Sequence, residues 1–145
     1  MTIQFEQEDF KKFYKDSELL LKAHMKEIEF DNLVVASDLY LKAEEKGLLK
    51  VYTARDNGII AGYCVTIISQ CYKTTKIKAH QEALYVKPDY RRFGVGGELL
   101  QYVDSHLKQI GVHVSSQSVP SNMNWDNLLI DKGYKKFRTI YEKEL

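Results

Sequence analysis

A mixed α/β fold, with one twisted sheet flanked by helices, is what this sequence predicts, and three observations predict it. Two apolar runs, residues 48–55 and 59–69, flank Asp56-Asn57-Gly58, a strong signal for a hairpin turn. A further run, 76–86, precedes Pro88, a cluster of glycines and an amphipathic stretch over 97–110, which reads as strand, turn, helix. Beyond that helix, 112–118 reads as a strand again, and a helical crossover of this length suits two parallel neighbours.

The elements follow in order. Ile3 and Phe5 alternate with polar neighbours and predict a short first strand. Phe10, Phe13 and Tyr14, then Leu20, Leu21, Met25 and Ile28, recur at helical spacing and predict one or two helices up to Glu29. Another helix is expected over 34–46, stopped by Gly47. The hairpin of 48–55 with 59–69 and the strand 76–86 make an antiparallel set. In the helix 97–110, Leu99, Val103, Leu107 and Ile110 share a face, and Gly111 ends it. After the strand 112–118 come a short helix over 124–132 ending at Gly133 and a closing pair of strands, 134–137 with 140–143. The count is about seven strands and four helices, in the order β-α-α-β-β-β-α-β-α-β-β.

At 145 residues the chain is the size of one domain, 1–145, and buries roughly two thirds of its unfolded surface. A net charge of +1 gives no broad attraction to nucleic acid or membranes, and no apolar run approaches the ~18 residues of a membrane span. Cys64 and Cys71 lack metal or redox spacing and read as reduced thiols in a cytoplasm; Cys64 is expected in the core. The four histidines, His24, His80, His106 and His113, are dispersed, so no metal site is indicated.

The most informative stretch runs from Leu84 to Val103. Here a strand ends at Pro88, Arg91 and Arg92 follow, and Gly94, Gly96 and Gly97 open the helix. Glycines expose successive backbone N–H groups, and a helix N-terminus adds partial positive charge, which together seat a phosphate. The arginines add full charge in a forked geometry. A dinucleotide fingerprint would need a third glycine where Leu99 stands, and no Lys-Ser or Lys-Thr pair follows for a nucleoside triphosphate loop.

Arg91-Arg92-Phe93-Gly94-Val95-Gly96 fits Arg/Gln-x-x-Gly-x-Gly/Ala, and so resembles the coenzyme A pyrophosphate loop of the GNAT (Gcn5-related N-acetyltransferase) superfamily. The predicted element order is similar to the GNAT fold along nearly the whole chain. Gly62-Tyr63 resembles the phage- and prophage-encoded members, which would place the protein in a host cytoplasm. The resemblance implies transfer of an acetyl group from acetyl-CoA to an amine, with no metal. It implies cofactor contacts at Leu84, Tyr85, Val86, Arg91, Arg92, Phe93, Gly94, Val95, Gly96, Gly97 and Asn122. It also implies that the strands ending at Val86 and Ser118 begin parallel and then splay around the thioester.

Two positions depart from the amino-terminal acetylating branch. Counting back from Gly133-Tyr134, Gln117 stands where that branch has a glutamate base, and Leu129 where many members have a tyrosine acid. Neither can exchange a proton usefully. The expected base is Glu82, on the strand just before the cofactor segment, with His80 on the same face two residues away. The acidic residues Glu18, Glu27, Glu29, Asp31 and Asp38 lie in the region that overlies the acceptor in GNAT-like proteins and suit a cationic amine, small molecule or peptide. Trp125 is expected in the core or beside the pantetheine arm, and Ser118 and Ser121 at the split between strands. A second reading is a non-catalytic module that binds acetyl-CoA or CoA as a sensor. A homodimer stays open.

Overall fold

The computed structural model describes every residue, Met1–Leu145. The chain runs β1 (Ile3–Glu8), α1 (Phe10–Glu27), α2 (Ser37–Glu45), β2 (Leu49–Asp56), β3 (Ile59–Gln70), β4 (Ile77–Val86), α3 (Pro88–Arg91), α4 (Val95–Gln109), β5 (Val114–Gln117) and α5 (Asp126–Asp131). The five strands form one sheet in chain order; β1 to β4 are antiparallel and β5 lies parallel to β4. The β2–β3 turn is the predicted one: Asn57 and Gly58 both take positive φ, 49° and 87°, as a tight hairpin requires.

Alternation along the strands divides the core into two layers. Val51, Tyr63, Val65 and Tyr85 face α1 and pack with Phe10 and Phe13, with Tyr40 of α2 stacked on Phe10. Tyr52, Cys64, Ala79 and Leu84 face the other way and meet Leu99, Val103 and Leu107 of α4, where Trp125 packs half-buried against them. Glu8, Arg55 and Thr53 form a buried polar lock between β1 and β2. Arg55 donates to both Glu8 oxygens and to Asp16 of α1, and Thr53 donates to Glu8. No helix is long and apolar enough to cross a membrane.

The structure corrects several expectations. There are five strands and five helices, because Pro88 starts a single turn of its own (α3) and the closing pair 134–137 with 140–143 does not form. Its two-residue link, Arg138-Thr139, lacks the glycine, asparagine or aspartate that a tight hairpin needs. From Lys135 onward the chain is exposed and outside any strand. The second helix starts at Ser37 rather than residue 34, since residues 30–36 serve to bridge α1 and α2. The crossover helix starts two residues early, at Val95, leaving Ile110 at its C-cap and 45% exposed rather than in the core. The fifth strand shortens to four residues because only those are paired with β4.

Candidate functional site

The site forms where β4 and β5 part. Their parallel pairing runs from Lys78 opposite Val114 to Gln81 opposite Gln117 and then stops, so the β5-facing edge of β4 from Glu82 to Val86 has no partner strand. Two features hold the strands together below the split. On the α4 face, Gln81 Nε2 donates to Ser115 Oγ at 2.6 Å, Ser115 Oγ donates to Asp104 Oδ1 at 2.7 Å, and Tyr134 OH donates to Asp104 Oδ2 at 2.7 Å. Burial pushes the Asp104 carboxyl upward, against the pull of its hydrogen bonds from Ser115 and Tyr134. On the opposite face, His80 bridges two serines, with Ser116 Oγ 2.9 Å from Nδ1 and Ser118 Oγ 3.2 Å from Nε2. A neutral imidazole has one donor and one acceptor nitrogen, so one serine donates and the other accepts.

Glu82 occupies a β-bulge. Gln81 is opposite Thr66 and Ala83 opposite Val65, which leaves Glu82 without a partner on β3. Strand alternation puts Glu82 on the α1–α2 side, exposed like His80, where its carboxylate lies beside Tyr40 of α2. Burial, and then the Glu82 charge, push the Tyr40 phenol up to about 12. Tyr40 carried no signal in the sequence, because its approach to Glu82 depends on how α2 packs on the sheet.

Leu84, Tyr85 and Val86 are buried, with side chains committed to the core, so what they can offer a ligand is backbone. β3 packs tightly on this segment: a Cβ at Gly62 would lie 2.8 Å from the Tyr85 carbonyl oxygen, and only glycine lets the two strands approach this closely. After α3, Gly94 takes φ +75° and caps α4, a conformation that costs a side chain dearly. The N–H groups of Val95, Gly96 and Gly97 at the start of α4 have no acceptor within the chain. A Cβ at Gly94 would meet nothing within 4 Å and one at Gly96 only Val86 Cγ2 at 3.7 Å, whereas one at Gly97 would press on Leu128 and Lys132 of the α5 region at 3.3 Å.

The arginines are placed differently from a pair of free phosphate hooks. Arg91 Nε donates to the Val86 carbonyl at 2.8 Å, its Nη2 reaches both carboxylate oxygens of Glu27 at 2.7 Å, and its guanidinium lies over the Tyr85 ring. Arg92 is exposed and stacked over Phe93. Asn122 Nδ2 donates to the Glu27 carbonyl at 3.0 Å. Two of the expected cofactor residues therefore converge on the last residue of α1, a through-space meeting that no local pattern announces. Tyr141 is 92% exposed on the C-terminal segment. No group of three or more His, Cys, Asp or Glu side chains is placed to hold a metal ion.

Comparison with known proteins identifies this geometry. Residues 48–137 match the family model described as the acetyltransferase (GNAT) domain. The chain belongs to the GNAT acetyltransferase family. A search of curated sequences finds no significant match. Among solved structures, it is similar to an acetyltransferase from Clostridium acetobutylicum described with acetyl-CoA, at a TM-score of 0.78 and 13% identity over 99% of this chain and 96% of that one. It is similar to an aminoglycoside acetyltransferase from an uncultured soil metagenomic sample in complex with sisomicin, at 0.75 and 17% over 99% and 96%. It is also similar to the ribosomal-protein-alanine N-acetyltransferase of Brucella melitensis biovar Abortus 2308, at 0.75 and 14% over 99% of each chain. Membership makes the protein an acetyl-CoA-dependent acyltransferase.

The GNAT site suits acetyl-CoA on its own evidence. The three free N–H groups at α4 offer donors to a pyrophosphate. At the last paired rung, Gln81 Oε1 and Gln117 Oε1 are both buried without a hydrogen-bond partner. Such unanswered acceptors are costly unless something donates to them, and the pantetheine arm carries amide N–H groups.

Proposed function

We propose that this GNAT protein moves an acetyl group from acetyl-CoA to a primary amine by direct attack in a ternary complex held in the β4–β5 split. The single observation that carries the reading is the split itself: pairing ends at Gln81 and Gln117, and an unpartnered β4 backbone then runs to Val86 beside a helix opened by glycines. Bound acetyl-CoA supplies an activated carbonyl.

The chain's residues do the rest. Val95, Gly96 and Gly97 N–H groups hold the pyrophosphate, and Arg91 positions the loop through Val86 and Glu27. Backbone N–H groups along Glu82–Val86 polarise the acetyl carbonyl. An alkyl ammonium has a pKa near ~10.4 and must lose a proton before it attacks. Glu82, exposed on the α1–α2 side of β4, takes that proton, with Tyr40 beside it and His80 two residues away. With Gln117 and Leu129 unable to act as base and acid, the thiolate leaves without a dedicated acid, which a thiol pKa of about 8.5 permits.

The acceptor class is a cationic amine. Glu82 and the exposed acidic residues Glu29, Asp31 and Asp38, on the segment between α1 and α2 and its continuation, favour it. Initial rates with varied acetyl-CoA and a panel of polyamines, aminosugars and peptide amines test the reading. Intersecting double-reciprocal lines and an N-acetylated product by mass spectrometry are expected. Parallel lines, with acetyl trapped on the enzyme, would replace direct attack by a covalent route.

A further inference from the structure

We propose that the acetyl acceptor is a small primary amine with one ammonium and an apolar body, aromatic or branched aliphatic, recognised by the segment from Ile28 to Leu39. The inference rests on the acetyl-transfer reading above and names the chemical class of amine that the site takes.

Both ends of that segment are fixed at the split. At one end, Arg91 donates to both carboxylate oxygens of Glu27, and Asn122 donates to its backbone carbonyl. Arg91 also donates to the carbonyl of Val86, so the end of α1 ties the last residue of β4 to the loop that follows β5. At the other end, Tyr40 lies beside Glu82, where the bare edge of β4 begins. The segment therefore passes from one end of that edge to the other, on the side that carries Glu82 and His80.

Its side chains are not those of an ordinary solvated connection. Phe30 is 55% exposed, Leu33 38%, Val34 86% and Leu39 68%, while their neighbour Val35 packs against the core. Single exposed apolar residues need no explanation, but a run of large ones beside a cleft marks a binding surface. The backbone holds them in place. Glu29 and Asn32 both take φ of 59°, a left-handed conformation that costs a glutamate more than a glycine. At Glu29 it closes the end of α1, with the Phe30 N–H donating back to the Met25 carbonyl at 2.9 Å.

Charge selects the occupant. Between Glu27 and Tyr40 the charged side chains are Glu29, Asp31 and Asp38, all acidic, and no basic residue lies among them. None of the three, nor Glu82, is in an ion pair. An uncharged apolar ligand would leave these carboxylates unanswered. A polyhydroxylated or multiply charged amine would leave Phe30, Leu33, Val34 and Leu39 in water. One ammonium joined to an apolar body answers both, with its nitrogen toward Glu82 and its body against the apolar side chains.

The test uses the full chain and measures thiol release at saturating acetyl-CoA. The amines are 2-phenylethylamine, 3-methylbutylamine, ethanolamine, glucosamine and spermidine. kcat/KM for the two apolar amines is expected at least ~tenfold above that for the other three. Phe30→Ser with Val34→Ser is expected to erase that preference through KM rather than kcat, bringing 2-phenylethylamine within about threefold of ethanolamine. Equal rates across the wild-type panel, or faster polar amines, overturn the proposal and leave acetyl transfer standing. A preference that survives the double substitution with KM unmoved places the apolar contact elsewhere and overturns it as well. Acetyl-CoA that binds by calorimetry but acetylates no amine overturns the acetyl-transfer reading, and the inference falls with it. If the variant does not fold, the wild-type ratios decide, together with hydrogen exchange in the presence of CoA. There 2-phenylethylamine, and not ethanolamine, is expected to protect amides of residues 28–39, and equal protection by both overturns the proposal.

Discussion

Acidification from pH 7 to 4 should weaken the fold through one residue, His24. Its ring on α1 is 4% exposed, stacked on Tyr85 at 4.8 Å, with Nδ1 2.6 Å from Tyr63 OH. Burial lowers its pKa from 6.5 to about 4; the Glu27 charge opposes the shift and the Arg91 charge adds to it. The buried Tyr63 phenol is pushed far upward, so it stays protonated and donates, and the imidazole accepts as the neutral form. In the unfolded chain the ring takes up a proton near 6.5, and in the folded chain only near 4. Stability is therefore full above pH 6.5 and falls as pH drops to about 4. The gap between those two values is worth on the order of 3 kcal/mol.

A second titration lies lower. Burial raises the Glu8 carboxyl, but the hydrogen bonds from Arg55 and Thr53 and the Arg55 charge outweigh it and hold it at about 2. Its contribution is present above 4.5 and is lost as pH falls through 2. Urea unfolding followed by circular dichroism at half-unit pH steps separates the two. The wild-type midpoint should drop by roughly 1–3 M between pH 6.5 and 4, taking ~1–3 kcal/mol per molar of urea as the slope. His24→Asn keeps an acceptor for Tyr63 and does not titrate, so it should flatten that limb while leaving the loss below 4.5. A flat wild-type midpoint from 7 to 4.5, or an unchanged limb in His24→Asn, would refute the reasoning.

Three further outcomes are expected. Gly96→Val puts a branched side chain among the free N–H groups of α4 and should weaken acetyl-CoA binding at least tenfold by calorimetry with the melting temperature little changed. Glu82→Gln should lower turnover ~10²–10⁴-fold with acetyl-CoA affinity nearly intact, and should remove the ascending limb of the pH–rate profile; full activity across pH would move the base elsewhere. Gly62→Ala drives a Cβ to 2.8 Å from the Tyr85 carbonyl, so β4 must shift, at ~1–3 kcal/mol of stability by urea unfolding.

Much of the fold was legible because local chemistry and tertiary context agree there. Asn57-Gly58 set the hairpin, glycines 47, 111 and 133 followed helix ends in the left-handed conformation, and the periodicity of Leu99, Val103 and Leu107 gave the buried face of α4. Residues 134–143 were misread because alternation shows only that a segment suits a strand. It does not supply the partner, and here the segment pairs with no strand. In the site, the glycine opening of α4 and the shared exposed face of His80 and Glu82 were readable from order and spacing. The bulge at Glu82, the neighbouring Tyr40 and the grip of Arg91 and Asn122 on Glu27 were not. Each joins residues far apart in sequence, and side-chain reach across a packed interface leaves no periodic trace.

A crystal structure with acetyl-CoA tests the central claim most directly. Pyrophosphate oxygens are expected within hydrogen-bond distance of the Val95, Gly96 and Gly97 N–H groups, with a pantetheine amide donating to Gln81 Oε1 or Gln117 Oε1 and the thioester beyond that rung, against the bare edge of β4 near Glu82. Coenzyme density anywhere else, for instance in the groove between α4 and the outer edge of β5, would contradict it.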